Sequence, residues 1–403
     1  MKYLAPLLLV ASFVSTTQAG PIAQFEVHRI DNYLFSFSPD GALFASIVKV
    51  DGVPEMELHS SETGELITRS THSASGTFSP AWIHDGNGLY TEGGGQEQIL
   101  HWDGSSWNLL DVKGLSFGSF AGGHANLSTD GSRLSIDNYA HDISIVRLAD
   151  QTWQPLAAEE NRSHLATWSP DGRYLATGHD GSVIIWDAQD LHEVRRYEDI
   201  SSSIYDNAVI NSLAWSPSGQ YLAIGTLYGS GYLVEPRSAE AELVDLLKGY
   251  DSISGLSWVS KSGLFWQEQE VLTYEAVDYH DDNEEEKPSE QFLIWYDPED
   301  DEIFYDHSFG PDLPGSVNFL LLALPESANA IIYSEAPDFE REEFVKYILI
   351  VDPDGGVTRK ELPENSKGVA VSPNGRYIAI REMGEDGIVR ASLWDFDTFM
   401  DEL

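Results

Sequence analysis

Residues 168–187 read WSPDGRYLATGHDGSVIIWD. Two apolar runs, YLAT and VIIW, are separated by the turn-forming GHDGS, and a second turn, SPDG, precedes the first run. In Ser-Pro-Asp-Gly, proline fixes φ, the aspartate side chain bonds its own backbone and glycine supplies a positive φ, so the chain reverses tightly. Each apolar run is short enough for a strand and bounded by turn residues, which favours strands over helices.

The stretch is repeated along the chain. FSFSPDGALFAS occupies residues 35–46, AWIHDGNGLYTEG residues 81–93 and NLSTDGSRLSI residues 126–136. LAWSPSGQYLAIG follows at 213–225, LSWVSKSGLFW at 256–266 and VAVSPNGRYIAI at 369–380. LALPESANAIIYS at 322–334 is a degenerate copy, with Ser327 where glycine is expected. The turn positions 41, 86, 131, 172, 219, 263, 327 and 375 are mostly forty-odd residues apart. A third strand ends in an aromatic residue (VIIWD, LIWYD, SLWDF), and a polar turn leads to a fourth (EVRRYE, EIFYDH). Four short strands per forty-odd residues predict a propeller blade. A single such sheet cannot bury both faces, but a ring of them can.

These motifs resemble the WD40-repeat family. The Ser-Pro-Asp/Ser/Asn-Gly turns carry the resemblance, with the pairs Trp102-Asp103, Trp186-Asp187 and Trp394-Asp395. It covers essentially the whole chain after residue 19 and implies an all-β, single β-propeller fold. Asp180, in the turn before VIIWD, matches the family's structural aspartate. The expectation is eight four-stranded blades, with seven as the alternative if the copy near Pro325 belongs to an enlarged neighbour. The segment IAQFEVHRI (22–30) alternates like a strand, and the last repeat stops after its third strand at SLWDFD (392–397). The N-terminal strand is therefore expected to pair with the last blade and close the ring.

Repetition also accounts for size. The 403 residues exceed the roughly 250–300 that one ordinary core supports. Residues 1–19 are expected to be a signal peptide: Lys2, an apolar run at 3–14, then small residues before Gly20. The propeller takes residues 20–403. There is no cysteine. That argues against a lipid anchor and a disulfide framework, and it favours a periplasmic or secreted bacterial protein stabilised by burial. The net charge is −43, from 66 acidic and 23 basic residues. Such a chain repels phosphate backbones and anionic membranes, so nucleic acid is excluded as a partner and a cationic one is favoured. The sequons at Asn126 and Asn161 matter only in a eukaryotic host.

In a propeller the first-to-second and third-to-fourth turns share one face, and the second-to-third turns and blade-to-blade loops share the other. The uniform Ser-Pro-Asp-Gly turns mark the first face as structural, which leaves the second for ligands. Three acidic segments fall there: EAVDYHDDNEEEKPSE (275–290), SEAPDFEREEF (334–344) and REMGEDGIVR (381–390). The candidate partner-binding residues are Asp278, Asp281, Asp282, Glu284, Glu285, Glu286, Glu340, Glu342, Glu343, Glu385 and Asp386. A charge run often only solvates a surface. Ca²⁺ would need six to eight oxygens from a defined loop, and no EF-hand spacing occurs. His72, His124 and His164 precede the second, third and fourth blades, and would make a transition-metal site if they met at the axial channel. No cofactor is expected otherwise.

Gly-Leu-Ser-Phe-Gly at 114–118 satisfies G-x-S-x-G, but a nucleophile elbow needs a strand before Ser116 and a helix after it. The series Trp82, Trp168, Trp215 and Trp258 repeats with the blade, which marks interblade packing rather than a cofactor box. The leading functional expectation is an exported, non-enzymatic scaffold that binds a protein or peptide on its loop-rich face. The alternative is a propeller-type metal-dependent hydrolase, lactonase or lyase at the channel mouth, using those histidines or the acids near Asp206 and Asp251.

Overall fold

The computed structural model describes residues 20–27, 35–74, 80–83, 86, 88–92, 98–115, 125–138, 142–156, 165–200, 209–226, 229–238, 243–246, 252–263, 266–278, 290–299, 302–308, 317–323, 330–338, 343–351 and 356–402. The expected signal peptide, Ser116, Asn161, Asp206 and Asp251 lie outside them.

Strand β1 (Ala23–Glu26) comes first. β2 (Phe35–Phe37), β3 (Leu43–Val50), β4 (Val53–Ser60) and β5 (Leu66–Ser73) form one antiparallel sheet in that order. The next is β6 (Ala81–Trp82), β7 (Leu89–Glu92), β8 (Gln98–Trp102) and β9 (Trp107–Asp111). Then come β10 (Ala125–Leu127), β11 (Arg133–Asn138), β12 (Asp142–Arg147) and β13 (Thr152–Pro155). The opening stretch lies in β14 (Leu165–Trp168), β15 (Tyr174–His179) and β16 (Ser182–Asp187), completed by β17 (Glu193–Tyr197). β18 (Ile210–Trp215), β19 (Leu222–Thr226), β20 (Gly231–Val234) and β21 (Val244–Asp245) follow. The longest strands are in the sheet of β22 (Ser252–Gly263), β23 (Trp266–Asp278), β24 (Glu290–Asp297) and β25 (Glu302–Ser308). The degenerate copy near Pro325 has a sheet of its own: β26 (Val317–Ala323), β27 (Ala330–Asp338), β28 (Glu343–Val351) and β29 (Val357–Glu361). The last strands are β30 (Ser366–Val371), β31 (Tyr377–Met383) and β32 (Val389–Asp395), and β1 pairs on the outside of β32. Among the described residues the strands thus make eight four-stranded sheets.

The core lies between sheets. Ala176, Val183 and Ile185 of the fourth sheet pack on Leu222, Ile224 and Val234 of the fifth. Ala45, Ile47, Met56 and Leu58 of the first meet Leu89, Leu100 and Trp102 of the second. Fully burying one such side chain contributes roughly 1.5–3 kcal/mol, so each interface outweighs anything a lone sheet could retain. Tyr377, Ala379 and Leu393 of the last sheet meet Phe37 and Phe44 of the first, which makes the stack circular.

Closure runs through the chain's N-terminal strand. Ala23 stands opposite Leu393, Gln24 opposite Ser392, Phe25 opposite Ala391 and Glu26 opposite Arg390. Of the 22–30 expected from alternation, the strand covers Ala23–Glu26, and residues 28–30 lie outside the described residues. After Glu26, Val27 donates to Val389 O (3.0 Å) and also bridges Val48 of β3, so the chain begins to cross into the first sheet.

The tryptophan series joins neighbouring inner strands. Trp82 Nε1 donates to Ser36 Oγ (2.9 Å) and Trp168 Nε1 to Asn126 O (3.1 Å). Trp215 Nε1 donates to Thr167 O (3.2 Å) and Trp258 Nε1 to Ala214 O (3.0 Å). Each acceptor belongs to the preceding sheet. Two of the rings also stack on a tyrosine of the preceding sheet: Trp215 on Tyr174, the first residue of β15 (centroids 6.4 Å), and Trp258 on Tyr221, just before β19 (6.2 Å).

A C-terminal helix, α1 (Phe396–Glu402), was not expected from periodicity. Asp395 caps it, its Oδ1 accepting from the backbone and hydroxyl of Thr398 (3.1 Å each). Phe396 and Phe399 are buried among Ile331, Tyr333 and Ile348 of the seventh sheet and Ile378 and Ile380 of the eighth. At the other end Lys360 Nζ donates to Met400 O (2.9 Å), placing a cation at the helix C-terminus.

Candidate functional site

The two faces of the ring differ in how their polar groups are used. On one, every Ser-Pro-Asp-Gly turn spends its groups on itself. Ser38 Oγ donates to Asp40 Oδ1 (2.5 Å) and accepts from Leu43 N (2.9 Å), while Gly41 N donates to Ser38 O (2.8 Å). The same bonds recur at Ser128 with Asp130, Ser169 with Asp171, and Ser372 with Asn374. Burial pushes the Asp130 carboxyl up, but hydrogen bonds from Ser128 and Ser132 outweigh it and hold the group below its usual range.

The turns also grip one another. Asn374 Nδ2 donates to Asp40 O (2.9 Å), which links the last sheet to the first. Thr129 Oγ1 donates to Ser169 O (2.8 Å), and Arg237 pairs with Asp171. The third-to-fourth turns add local bonds. Asp103 is held well below the usual carboxylate range by the backbone N–H of Ser106, then by the hydroxyl and backbone of Ser105. Among the described residues, Asp187, Asp190 and His192 bring three ligand-type atoms within 4.8 Å of one another. Their bonds are those of a turn: Asp187 Oδ1 accepts from Gln189 N (2.7 Å) and Asp190 N (3.3 Å), and His192 pairs with Asp190.

The opposite face carries the second-to-third connections. Asp278 ends β23 and Glu290 begins β24, so residues 279–289 span the acidic excursion. Glu343 begins β28, across from Asp338. Asp281, Asp282, Glu284, Glu285, Glu286, Glu340 and Glu342 lie outside the described residues. In the last sheet, Glu385 and Asp386 are exposed in the turn between β31 and β32. Arg390 bonds Asp386 Oδ1 (3.2 Å) and Oδ2 (2.6 Å), and Ile388 N adds a third bond (3.0 Å). Those bonds, Arg390 first, lower the Asp386 pKa to about 2. Glu385 therefore presents its charge outward, while that of Asp386 is matched within the turn.

The histidine expectation needs one correction. His72 is not in a blade-to-blade loop; it lies within β5, the outermost strand of the first sheet, and is exposed. The pairing of Ser73 with Glu55 of β4 carries the strand past His72. His124 and His164, which directly precede the inner strands β10 and β14, lie outside the described residues. The sequon at Asn126 is committed to structure: its Nδ2 donates to Ala166 O of the next sheet (2.8 Å).

Two buried polar groupings escaped the sequence reading. Trp186 Nε1 donates to Thr177 Oγ1 (2.9 Å), which bonds His179 Nε2 (2.9 Å). Asp180, matched to the family's structural aspartate, is exposed and bridges Val209 through its backbone. In the first sheet Glu57 bonds both His59 Nε2 (3.0 Å) and Arg69 Nε (2.6 Å). Burial pushes Glu57 up, and the bonds from His59 and Arg69 outweigh it, so its pKa is lowered. His59 lies against the ring of Phe25 on the closing strand (centroids 4.1 Å).

A family model described as WD domain, G-beta repeat, matches residues 162–187 and 201–231, which take in the first three strands of the fourth sheet and the start of the fifth. The chain is a WD40-like β-propeller. Solved structures agree on the fold. A chain in the crystal structure of the mitotic checkpoint complex is similar over 98% of this chain and 97% of its own length, with 14% identity and a TM-score of 0.50. The Cps50 (Swd1) β-propeller domain of Myceliophteria thermophila is similar over 92% and 98%, with 12% identity and a TM-score of 0.50. No curated protein sequence matches the chain. Among the described residues, no helix of this WD40-like propeller is long and apolar enough to cross a membrane.

Proposed function

We propose that this WD40-like propeller is an exported, non-enzymatic scaffold that holds a protein or peptide partner on its second-to-third-turn face. The observation that carries the reading is the asymmetry between the faces. The Ser-Pro-Asp-Gly turns consume their own polar groups, so they offer a partner little. The opposite face carries acidic connections from three successive blades. A cationic partner gains most there, because the whole chain's charge of −43 adds long-range attraction to any local ion pair. Asp278, Glu343 and Glu385, with the acids at 281–286 and 340–342, are the residues assigned to it.

The test is capture from a periplasmic extract by the full chain and by a variant lacking residues 279–289. Loss of one partner with the deletion, at unchanged melting temperature, supports the reading. Unchanged recovery removes the excursion from it.

A further inference from the structure

Near the end of the third strand, the second, fourth and eighth sheets place Trp102, Trp186 and Trp394 opposite an apolar residue of the second strand: Leu89, Leu175 and Ile378. At the same position the first sheet has His59, opposite Phe44. An ionisable side chain is thus buried where the other blades have an indole, and it lies against Phe25 of the strand that closes the propeller.

Both ring nitrogens of His59 face acceptors. Nε2 lies 3.0 Å from Glu57 Oε2, and Nδ1 lies 3.2 Å from Gly64 O in the turn between β4 and β5. A carbonyl oxygen only accepts, and Glu57 is held as a carboxylate by Arg69 Nε, which donates to its other oxygen (2.6 Å). A neutral imidazole has one N–H and satisfies one of the two acceptors; the doubly protonated ring satisfies both. Local charge agrees with the second case, since His59 and Arg69 then meet two carboxylates, Glu57 and Glu55.

The Gly64 turn bears directly on β1. A Cβ on Gly64 would come within 2.5 Å of Ala23 Cβ and 3.4 Å of Ile22 O, so the turn lies flat against the start of the closing strand. The other groups around His59 keep their charge state near neutral pH. Phe44 of β3 is apolar, and burial pushes the hydroxyl of Tyr377 of β31, in the same cluster as Phe44 and Phe25, further up. Gln24 and Glu26 alternate to the far side of β1, and Glu62 and Glu65 of the turn are exposed.

We infer that His59 is a proton-operated latch on the closure of the propeller: its second ring proton ties the Gly64 turn to Glu57 behind β1, and loss of that proton frees the turn and loosens the closing strand. Histidine changes charge between about pH 5 and pH 8, so closure tightens in mildly acidic surroundings and slackens as pH rises. It slackens again in stronger acid, where Glu57 takes up a proton. The latch does not depend on which face holds a partner.

The test uses the full chain. Amide hydrogen exchange, expressed as protection factors so that its intrinsic pH dependence cancels, is followed at residues 23–27, with 174–179 of β15 as the reference. The ring nitrogens are read by long-range proton–nitrogen NMR of histidine-labelled protein, with His59 assigned by its contact with Phe25. From about pH 6 to about pH 8.5, protection of 23–27 should fall about tenfold or more, the effect of one lost charge-assisted hydrogen bond, while that of 174–179 holds. Both His59 nitrogens should carry protons at the lower pH, and loss of one should share its midpoint with the fall. In His59→Gln the dependence should vanish. Protection of 23–27 that ignores pH, a fall that persists in His59→Gln, or a His59 ring with one proton throughout would each overturn the proposal. The ring spectrum and the exchange profile of the unsubstituted chain decide the matter by themselves should the variant not fold.

Discussion

Replacing Trp215 separates the two roles assigned to the blade-period tryptophans. The side chain is buried, donates Nε1–H to Thr167 O at 3.2 Å and stacks on Tyr174. Trp215→Ala removes the whole ring from the interface between the fourth and fifth sheets. Large-to-small aromatic substitutions in cores cost about 3–5 kcal/mol, and the flanking β-sheets, fixed by their ladders, leave little room to collapse into the gap. Trp215→Phe keeps most of the apolar surface and the stacking plane but loses the bond, worth about 1 kcal/mol. The two variants should therefore differ by about 2–4 kcal/mol in urea unfolding followed by far-ultraviolet circular dichroism. A double-mutant cycle with Tyr174→Ala should show a coupling of about 0.5–1.5 kcal/mol. If Trp215→Phe costs as much as Trp215→Ala, or if both cost under about 0.5 kcal/mol, the tryptophan does not join the blades.

Three further outcomes follow from the geometry. Gly41→Ala should lower the melting temperature more than Gly219→Ala. Both have positive φ, at 73° and 69°, a strain of about 1–2 kcal/mol for an L side chain, but a Cβ at 41 would also come within 2.5 Å of Asn374 Nδ2. Phe399→Ala, which empties a fully buried site between the seventh and eighth sheets, should cost about 3–5 kcal/mol in the same urea assay, whereas Asp397→Ala should change little. Glu57 has a lowered pKa in the folded chain, so its contribution is complete above the usual glutamate range and is lost as pH falls through the lower folded value. Glu57→Gln should flatten the fall in melting temperature between pH 5 and pH 3, within about that window.

What could be read from the chain beforehand was what is local and repeated. The Ser-Pro-Asp-Gly turns are specified by four adjacent residues, and the tryptophans by the period of the blade, so both were legible. Closure was legible because β1 and β32 each leave a blade incomplete by itself. The C-terminal helix was not, since its seven residues, FDTFMDE, become stable only when Phe396 and Phe399 enter a pocket built by two other sheets. The Glu57, His59 and Arg69 group was hidden for a related reason: Glu57 and Arg69 become cross-strand partners only once β4 and β5 are in register. His72 was misplaced because strand ends are decided by pairing, here Glu55 with Ser73, rather than by composition. On the candidate face, acidity was plain in the sequence, but which acids remain free was not, as Arg390 shows by matching Asp386 and leaving Glu385.

Ring closure can be tested by a single cross-link, and the absence of native cysteine makes the experiment clean. The bond from Val27 N to Val389 O makes Gln24 and Ser392 a closely spaced, non-hydrogen-bonded pair, about 4.5 Å between Cα atoms, within disulfide range. The variant Gln24→Cys with Ser392→Cys should oxidise to completion in the folded monomer. It should also melt at a higher temperature than its reduced form, because the bond closes nearly the whole chain into a loop. Two thiols that stay free and titratable in the native protein would contradict a ring shut by pairing β1 with β32.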